Sequence, residues 1–243
     1  MASPAEFTHR YNPQPRLSAN QTADYLYATP TNRRSILRDA KFPPTMIVIR
    51  YEDARPAMVE RFADEGDLDG WIEKIHRKAA VSTTEYQKLN CQLCIDALES
   101  FQASIRNLDA GKLRFRRPRR HFSKLMIEGV HISVAIDLVV EGGDGKSVGG
   151  AIFVFSKAEK DERKFKAIAL LIHELLKPHV KAPARVDPTL CMAIDVFNAR
   201  IYRGKTQQKM LYNTVEASCE EIATRWPAIK PPANYNGPPI SKG

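Results

Sequence analysis

The sequence predicts an α/β fold with a mixed sheet, and three observations support this prediction. Large apolar residues recur at every second position from Val130 to Val140, with His131, Ser133, Ala135 and Asp137 between the first five of them, which is typical of a strand with one buried face. A glycine-rich segment at 142–146 and a second apolar run at 151–155 follow, as in a β-hairpin. Apolar residues at helical spacing, at 83–107 and again at 165–176, predict helices that pack on this sheet.

The composition indicates a globular protein with an excess of positive charge. The chain has 243 residues, of which 43% are hydrophobic, and 37 Lys and Arg against 28 Asp and Glu give a net charge of +9. This excess favours a polyanionic partner, with nucleic acid first, although it also serves solubility.

The same composition argues against a membrane or secreted protein. The apolar runs are shorter than the ~18 residues that span a bilayer, so no membrane partner is expected. Residues 1–16 lack the apolar core of a signal peptide, and four cysteines in a chain of this length form no disulfide framework. We therefore expect a cytoplasmic protein with reduced thiols.

Shifts in composition divide the chain into four predicted segments. They are a disordered tail at 1–17, a mainly helical N-terminal module at 18–66, an α/β domain at 67–226, and a proline-rich disordered tail at 227–243.

The N-terminal module carries the first candidate phosphate contacts. Pro30 divides it into two short helices, and residues 46–51 read as a short strand. Arg33 and Arg34 follow Pro30, where they are candidates for nucleic-acid binding. A plain solvated helix face is the alternative reading of these two arginines.

The helix at 83–107 is predicted to begin at a capping box formed by Ser82 and Glu85. Tyr86 and Leu89 belong to its expected buried stripe. After the hairpin, the nearly continuous apolar run 190–197 predicts a strand buried on both faces, and residues 200–203 can pair back on it. Helical spacing returns at 206–226.

A basic arm occupies residues 112–124, where seven of thirteen positions are Lys or Arg and aromatic residues interleave with them. Such an arm can lay cations along a phosphate backbone while its aromatic side chains anchor it or stack on bases. An edge strand protected from pairing by its charges is the alternative. The candidate nucleic-acid contacts of this arm are Arg114, Arg116, Arg117, Arg119, Arg120 and Lys124.

From residue 83 onward the predicted order of elements is helix, three strands, helix and strand. This αβββαβ order, with Asp137 on the first arm of the hairpin and Lys157 at the end of the second, resembles the PD-(D/E)XK nuclease superfamily, particularly its RecB-like branch. The resemblance covers about residues 83–197. It implies a nuclease-like core in which Asp137 is the metal ligand for Mg²⁺ or Mn²⁺ and Lys157 is the catalytic residue that positions or activates water.

The sequence departs from this pattern at one position. The triplet reads Phe155-Ser156-Lys157, so that Phe155 stands where the family has a second acid. A single carboxylate holds a divalent cation poorly, and Glu99, Glu128 or Glu141 would have to replace the missing one. Without such a replacement, Asp137 and Lys157 are ordinary polar residues of a half-buried strand.

The resemblance and its departure together imply a nucleic-acid-binding protein, for DNA or RNA, whose nuclease activity is impaired. The alternative is a non-enzymatic interaction subunit of a larger assembly, with a protein partner or a second copy of the chain. Cys91 and Cys94 form a Cys-x-x-Cys inside a predicted helix without a second pair at zinc-site spacing, so we expect them to be small core residues.

Overall fold

The structure is a computed structural model that describes residues 7–45, 50–105, 113–119, 125–157 and 161–240. Within these residues the helices are α1 (Ala19–Tyr27), α2 (Pro30–Lys41), α3 (Ala54–Ala63), α4 (Leu68–Val81), α5 (Glu85–Ser104), α6 (Glu162–Leu176) and α7 (Lys209–Arg225). The strands are β1 (Arg16–Ser18), β2 (Arg114–Arg116), β3 (Leu125–Ile127), β4 (Val130–Ser133), β5 (Leu138–Glu141), β6 (Ser147–Val154), β7 (Arg185–Val186), β8 (Met192–Asp195) and β9 (Arg200–Arg203).

The chain divides into two compact units, each assembled from separate stretches of sequence. The first unit comprises Met1–Val48, Lys124–Val134 and Lys209–Gly243, and the second comprises Ile49–Ser123 and Ala135–Gln208. The first unit therefore contains α1, α2 and α7 with a sheet of order β1-β4-β3, in which β1 runs parallel to β4 and β3 antiparallel to it.

The second unit contains a mixed sheet of order β2-β5-β6-β8-β9. Neighbouring strands are antiparallel except for β6 and β8, which run parallel and are connected through α6, and β7 adds a short parallel pair at the start of β6. This sheet confirms the predicted α/β fold with a mixed sheet. If the two-residue strand β7 is left out, the elements of this unit from α5 to β8 follow the order αβββαβ, formed by α5, β2, β5, β6, α6 and β8.

The two faces of this sheet are covered by different helices. Side chains of β5, β6 and β8, including Leu138 and Phe153, form one buried cluster with residues of α3, α4 and α5. A Cβ atom built on Gly150 of β6 would lie 3.0 Å from Ile172 of α6, which places α6 on the other face. Both faces of β6 and β8 are buried, as expected for parallel strands between helices.

The predicted strand at 130–140 is two strands, which is the main correction to the hairpin. β4 pairs with β1 and β3 in the first unit, whereas β5 pairs with β2 and β6 in the second. Residues 134–137 connect them without strand pairing. β4 alternates buried and half-buried residues, whereas Leu138, Val139 and Val140 of β5 are all buried, so both faces of β5 are covered. The apolar pattern did not reveal the break, because it carries no information about the pairing partner.

The units differ from the predicted segments because pairing between distant stretches decides their membership. Residues 49–66 were expected in the N-terminal module, but α3 packs in the buried cluster of the second unit. The described parts of both predicted tails are ordered against each other: the backbone N–H of Thr8 donates to Asn236 O at 2.8 Å, and the rings of His9 and Tyr235 are 5.7 Å apart.

The residues that predicted helix ends were correct at the start of α2 and wrong at the start of α5. Pro30 occupies the first turn of α2, which confirms that it separates two helices. The N-cap of α5 is Thr84, whose side chain accepts from the N–H of Gln87, so the predicted capping box is wrong. The Ser82 hydroxyl instead donates to Lys78 O at 2.7 Å at the end of α4.

The buried face of α5 is also narrower than predicted. Tyr86 and Leu89 are 47% and 60% exposed, while Cys91 and Cys94 are buried and unbonded to each other, as expected for core cysteines. The predicted strand at 46–51 lies largely outside the described residues. In the part of the chain that the structure describes, none of the helices is long and apolar enough to cross a bilayer.

We predict that Gly149→Ala destabilises the second unit strongly. A Cβ atom at this position of β6 would lie 2.1 Å from the carbonyl oxygen of Leu190, which is backbone and cannot rotate away. The expected loss in the free energy of unfolding is about 1–3 kcal/mol or more, measured by denaturant titration.

Gly143→Ala is the matched control, because a Cβ atom there would meet no atom within 4 Å. Its unfolding midpoint should lie close to that of the wild type. Equal midpoints for the two alanine variants would show that the Gly149 backbone does not approach Leu190 as described.

Candidate functional site

Asp137 lies immediately before β5, where its side chain is only 9% exposed. Its backbone N–H donates to the carbonyl oxygen of Ala151, which fixes it to the end of the β5–β6 ladder. One oxygen of its carboxylate, Oδ2, accepts from Arg55 Nη1 at 2.5 Å and from the backbone N–H of Phe153 at 2.8 Å. The carboxylate of Asp137 therefore already has a cationic partner within the protein, the guanidinium of Arg55.

The electrostatic environment of Asp137 has two opposing parts. Burial raises the pKa of this carboxyl above its ordinary value, because the charged form loses hydration. The positive charge and the hydrogen bond of Arg55 lower the pKa, and so does the Phe153 N–H, but burial dominates. Arg55 is consequently the main group that keeps a charged Asp137 tolerable at this depth.

Arg55 comes from the first turn of α3 and makes three kinds of contact. Besides the ion pair with Asp137, its Nη2 donates to the carbonyl oxygen of Phe153 at 3.3 Å. Its guanidinium carbon lies 5.2 Å from the ring centroid of Phe155, within the range of a cation–π interaction. Phe155, which replaces the expected acid, thus contacts a cation through its ring face.

Three aromatic rings, those of Tyr51, Phe155 and Phe197, form what we call the aromatic cluster. Tyr51 stacks on Phe155 with ring centroids 4.9 Å apart and meets Phe197 edge-on at 6.0 Å. Tyr51 has a left-handed backbone with φ of 61°, a conformation uncommon for an aromatic residue, and its N–H donates to Asn90 Oδ1 at 3.1 Å. The nearly buried Asn90 side chain helps to hold this turn in place.

Lys157 lies on the other side of the aromatic cluster. Its ammonium is 5.9 Å from the ring centroid of Phe197 and donates to Asp96 of α5 at 2.6 Å. Asp96 also accepts from Gln92 at 2.7 Å. The hydrogen bond to Asp96 raises the pKa of Lys157, and the bonds from Lys157 and Gln92 lower the pKa of Asp96, so both side chains stay charged near neutral pH.

Asp137 and Lys157, the two residues predicted as catalytic, therefore lie around the same aromatic cluster but form ion pairs with different partners. Asp137 binds Arg55, Lys157 binds Asp96, and among the described residues no hydrogen bond or ion pair joins Asp137 to Lys157. β6 ends at Val154, so Phe155 and Lys157 lie beyond the strand, and strand alternation does not govern their orientation.

The oxygen ligands at Asp137 do not fit Mg²⁺ or Mn²⁺. Such cations require several oxygen ligands, whereas Phe155 supplies none and the carboxylate of Asp137 is already paired with Arg55. Of the candidate replacement acids, Glu141 is paired with Arg116 and Glu99 is exposed on α5. Glu128 lies in the turn between β3 and β4. Over the described ranges, no group of three or more His, Cys, Asp or Glu side chains is arranged to hold a metal.

The basic arm is described only from 113 to 119. Its strand β2 is an edge of the sheet, and Leu113 and Phe115 pack against the buried cluster. Arg114 and Arg119 are exposed. Arg120 and Lys124 lie outside the described residues.

The remaining two arginines of the arm form surface ion pairs. Arg116 pairs with Glu141 on the neighbouring strand, while Arg117 binds Asp64 through Nε at 3.0 Å and Nη2 at 2.7 Å. For Arg114 and Arg119, no ion pair is formed within the part of the chain that the structure describes.

The two candidate arginines of α2 have different roles. The guanidinium of Arg33 donates to the carbonyl oxygens of Tyr25 and Leu26, both at 3.0 Å, and to Glu221 at 3.2 Å, so it joins α1 to α7. Arg34 is exposed.

Sequence reasoning missed Arg55 and Asp96, which are the counter-ions of the two predicted site residues. Arg55 lies 82 positions from Asp137 in the chain, and no local pattern distinguishes it from other arginines. Asp96 is three residues from Glu99 on the same helix. A search of that helix for acids on the face next to Cys91 and Ile95 would have included it.

Comparison with known proteins adds no relative. No protein-family model matches the chain, and no curated protein matches its sequence.

We predict that Arg55→Ala destabilises the protein in a pH-dependent way. At neutral pH the variant leaves a buried Asp137 charge with one backbone donor, at a cost of about 1–3 kcal/mol in the free energy of unfolding. Because Arg55 lowers the pKa of Asp137, its removal raises that pKa further. Because burial already holds the pKa of Asp137 above its ordinary value, the destabilisation should be largest at neutral pH and shrink as pH falls into the acid range through this raised pKa, where the carboxyl takes up a proton. Denaturant titrations over this pH range measure it.

The same substitution in an Asp137→Asn background is the control. The uncharged amide keeps the shape of the side chain, so Arg55→Ala should cost less there and its cost should not change with pH. An equal pH dependence in both backgrounds would contradict the assignment of the effect to Asp137.

Proposed function

We propose that this protein binds nucleic acid through the basic edge of its second unit and does not cleave it by a metal-dependent mechanism. The observation that carries the proposal is the β2 edge, where Arg114 and Arg119 are exposed without a carboxylate partner among the described residues. Leu113 and Phe115 anchor β2 to the buried cluster, so Arg114 is held on a fixed surface, and Arg119 follows three residues after the end of this strand.

The ion pairs of Arg116 and Arg117 are compatible with this role. Their side chains are 42% and 53% exposed, and pairs at such exposure contribute about 0–1 kcal/mol to stability. A phosphate oxygen can replace Glu141 or Asp64 at little cost, and each arginine offers it a bidentate fork. Excess positive charge over the whole chain favours the approach of a polyanion.

The second half of the proposal, binding without cleavage, is supported by the Arg55–Asp137 pair. The αβββαβ order of the second unit agrees with the resemblance to the PD-(D/E)XK nuclease superfamily, and we infer that the domain is a member with an altered site. In this reading Arg55 supplies the positive charge that Asp137 would otherwise obtain from a divalent cation. Such a fold can keep a nucleic-acid-binding surface after its chemistry is lost, since fold alone does not carry activity.

A protein-interaction role is the second candidate, and one surface feature favours it. The turn from α4 to α5 exposes three large apolar side chains, with Val81 at 78%, Tyr86 at 47% and Leu89 at 60% exposure. Neighbouring exposed apolar side chains of this kind mark interaction surfaces. In that case Val81→Glu with Leu89→Glu would separate a native complex in size-exclusion chromatography, and nucleic-acid binding would be weak.

We predict a steep salt dependence of nucleic-acid binding that depends on the β2 edge. Arg114→Gln with Arg119→Gln should weaken binding of a labelled oligonucleotide in fluorescence anisotropy. The slope of log affinity against log salt should fall by about 1.8 for duplex DNA and about 1.4 for a single strand, since two phosphate contacts are lost.

The matched control removes two exposed cations near the opposite edge strand, β9. Arg200→Gln with Lys205→Gln changes the net charge by the same amount but should leave the slope close to that of the wild type. If both double variants lose affinity and slope equally, the effect belongs to net charge and the assigned edge is wrong.

We further predict that wild-type protein with Mg²⁺ or Mn²⁺ cleaves labelled DNA and RNA no faster than the Asp137→Ala and Lys157→Ala variants. The physical reason is that Asp137 is occupied by Arg55 and Phe155 supplies no ligand. Cleavage by the wild type that disappears in both variants would establish a working nuclease site and overturn this half of the proposal.

A further inference from the structure

The first unit contains a groove of about 520 Å³ that is separate from the site described above. One wall is the exposed side of α2, which contributes Arg34 and Arg38, and the other is the end of α7 with the segment that follows it, which contributes Arg225 and Lys230. The volume is within the range of small-molecule sites in proteins.

The groove concentrates positive charge. Four cationic side chains line it, Arg34, Arg38, Arg225 and Lys230, and the described residues that line it include no carboxylate. Arg225 is paired with Glu221 at 2.8 Å, and Arg38 makes only a 3.5 Å contact with the exposed Asp39. Neither Arg34 nor Lys230 forms an ion pair within the described part of the chain, so both can bind an anion without first losing a partner.

A buried lysine holds the two walls together. Lys41, at the end of α2, is 3% exposed, and its ammonium donates to the carbonyl oxygens of Trp226, Pro227 and Ile229 at 2.7, 3.2 and 3.2 Å. Burial lowers the pKa of this ammonium, and these three carbonyls compensate part of its lost hydration.

Glu221 provides a second link between the walls. It accepts from Arg33 of α2 at 3.2 Å as well as from Arg225, which aligns the end of α7 with α2. The groove is thus built by the fold before any ligand binds, which reduces the ordering cost of binding.

The lining combines this charge with apolar and hydroxyl groups. Leu37, Ala228 and Ile229 provide an apolar floor, and Thr31 and Ser35 present hydroxyls on the α2 wall. Arginine forks match the oxygens of a phosphate group, and an apolar floor matches the face of a planar base. A simple inorganic anion would leave the floor unused, and an apolar ligand would leave the cations unused.

We propose that this groove binds a phosphorylated nucleoside, with the phosphate at Arg34 and Lys230 and the base on the floor formed by Leu37, Ala228 and Ile229. The ligand is either a free nucleotide or the phosphorylated end of a nucleic-acid chain, because both present the same chemistry. This binding site is independent of the β2 edge and goes beyond the function proposed above.

Isothermal titration calorimetry of the full chain with AMP, adenosine, ribose 5-phosphate and inorganic phosphate tests the groove. AMP should bind about tenfold or more tightly than each of the three fragments, since only AMP engages both the cations and the floor. Arg34→Gln with Lys230→Gln should weaken AMP binding by about tenfold or more. Ile229→Ala should weaken AMP binding but leave phosphate binding unchanged.

The matched control is Arg10→Gln with Arg16→Gln, which removes two exposed cations of the same unit outside the groove and should not change AMP affinity. The proposal would be overturned if AMP bound no more tightly than inorganic phosphate. It would also be overturned if the groove double variant and the control double variant had the same affinity for AMP.

Competition with oligonucleotides identifies the source of the ligand. If a 5′-phosphorylated oligonucleotide displaces AMP and its 5′-hydroxyl form does not, the natural ligand is the phosphorylated end of a nucleic-acid chain. If neither oligonucleotide displaces AMP, the natural ligand is a free nucleotide. Arg114→Gln with Arg119→Gln should leave AMP affinity unchanged. If AMP does not bind in the groove, the predicted salt dependence of nucleic-acid binding at the β2 edge is unaffected. If that salt dependence is absent, the predicted AMP binding is unaffected.

Discussion

A carboxylate with only 9% of its side chain exposed needs a positive partner, and in the second unit this requirement is met by Arg55. The pair joins the first turn of α3 to the end of the β5–β6 ladder, where Asp137 also accepts the N–H of Phe153. An uncompensated charge at this depth would cost several kcal/mol, so α3 cannot leave the sheet without exposing Asp137 to water or burying it alone. The position of α3, and with it the position of Arg55 over Phe155, follows from this constraint.

The two charged groups predicted as site residues are each paired within the protein, Asp137 with Arg55 and Lys157 with Asp96. Arg55 and Lys157 each combine an acid with the face of an aromatic ring, and Tyr51 stacks on one of those rings and meets the other edge-on. Phe155 takes part in this arrangement through its ring face, which contacts the Arg55 guanidinium.

The net charge of +9 conceals cations with very different roles. Lys41, Arg33 and Arg55 donate to backbone carbonyls or buried acids and hold elements of the fold together. Arg114 and Arg119 on the β2 edge, and Arg34 and Lys230 in the groove, are exposed at the surface. Counting charges along the chain does not separate these classes, because a lysine that caps three buried carbonyls and a lysine in solvent have the same side chain.

Side-chain periodicity and local breakers determined the α/β class, most of the helices and the β5–β6 hairpin, because these depend on residues within a few positions of one another. Periodicity placed Asp137 within the first hairpin arm and Lys157 at the end of the second, whereas Asp137 lies just before β5 and Lys157 lies beyond the end of β6. Other features were decided only by the tertiary structure: the division of residues 130–140 between two sheets, the exposure of Tyr86 and Leu89, and the pairing of Asp137 with Arg55 and of Lys157 with Asp96. Each of these depends on which distant segment packs against a residue, and the alternation of apolar and polar side chains specifies that a face is buried without specifying what covers it.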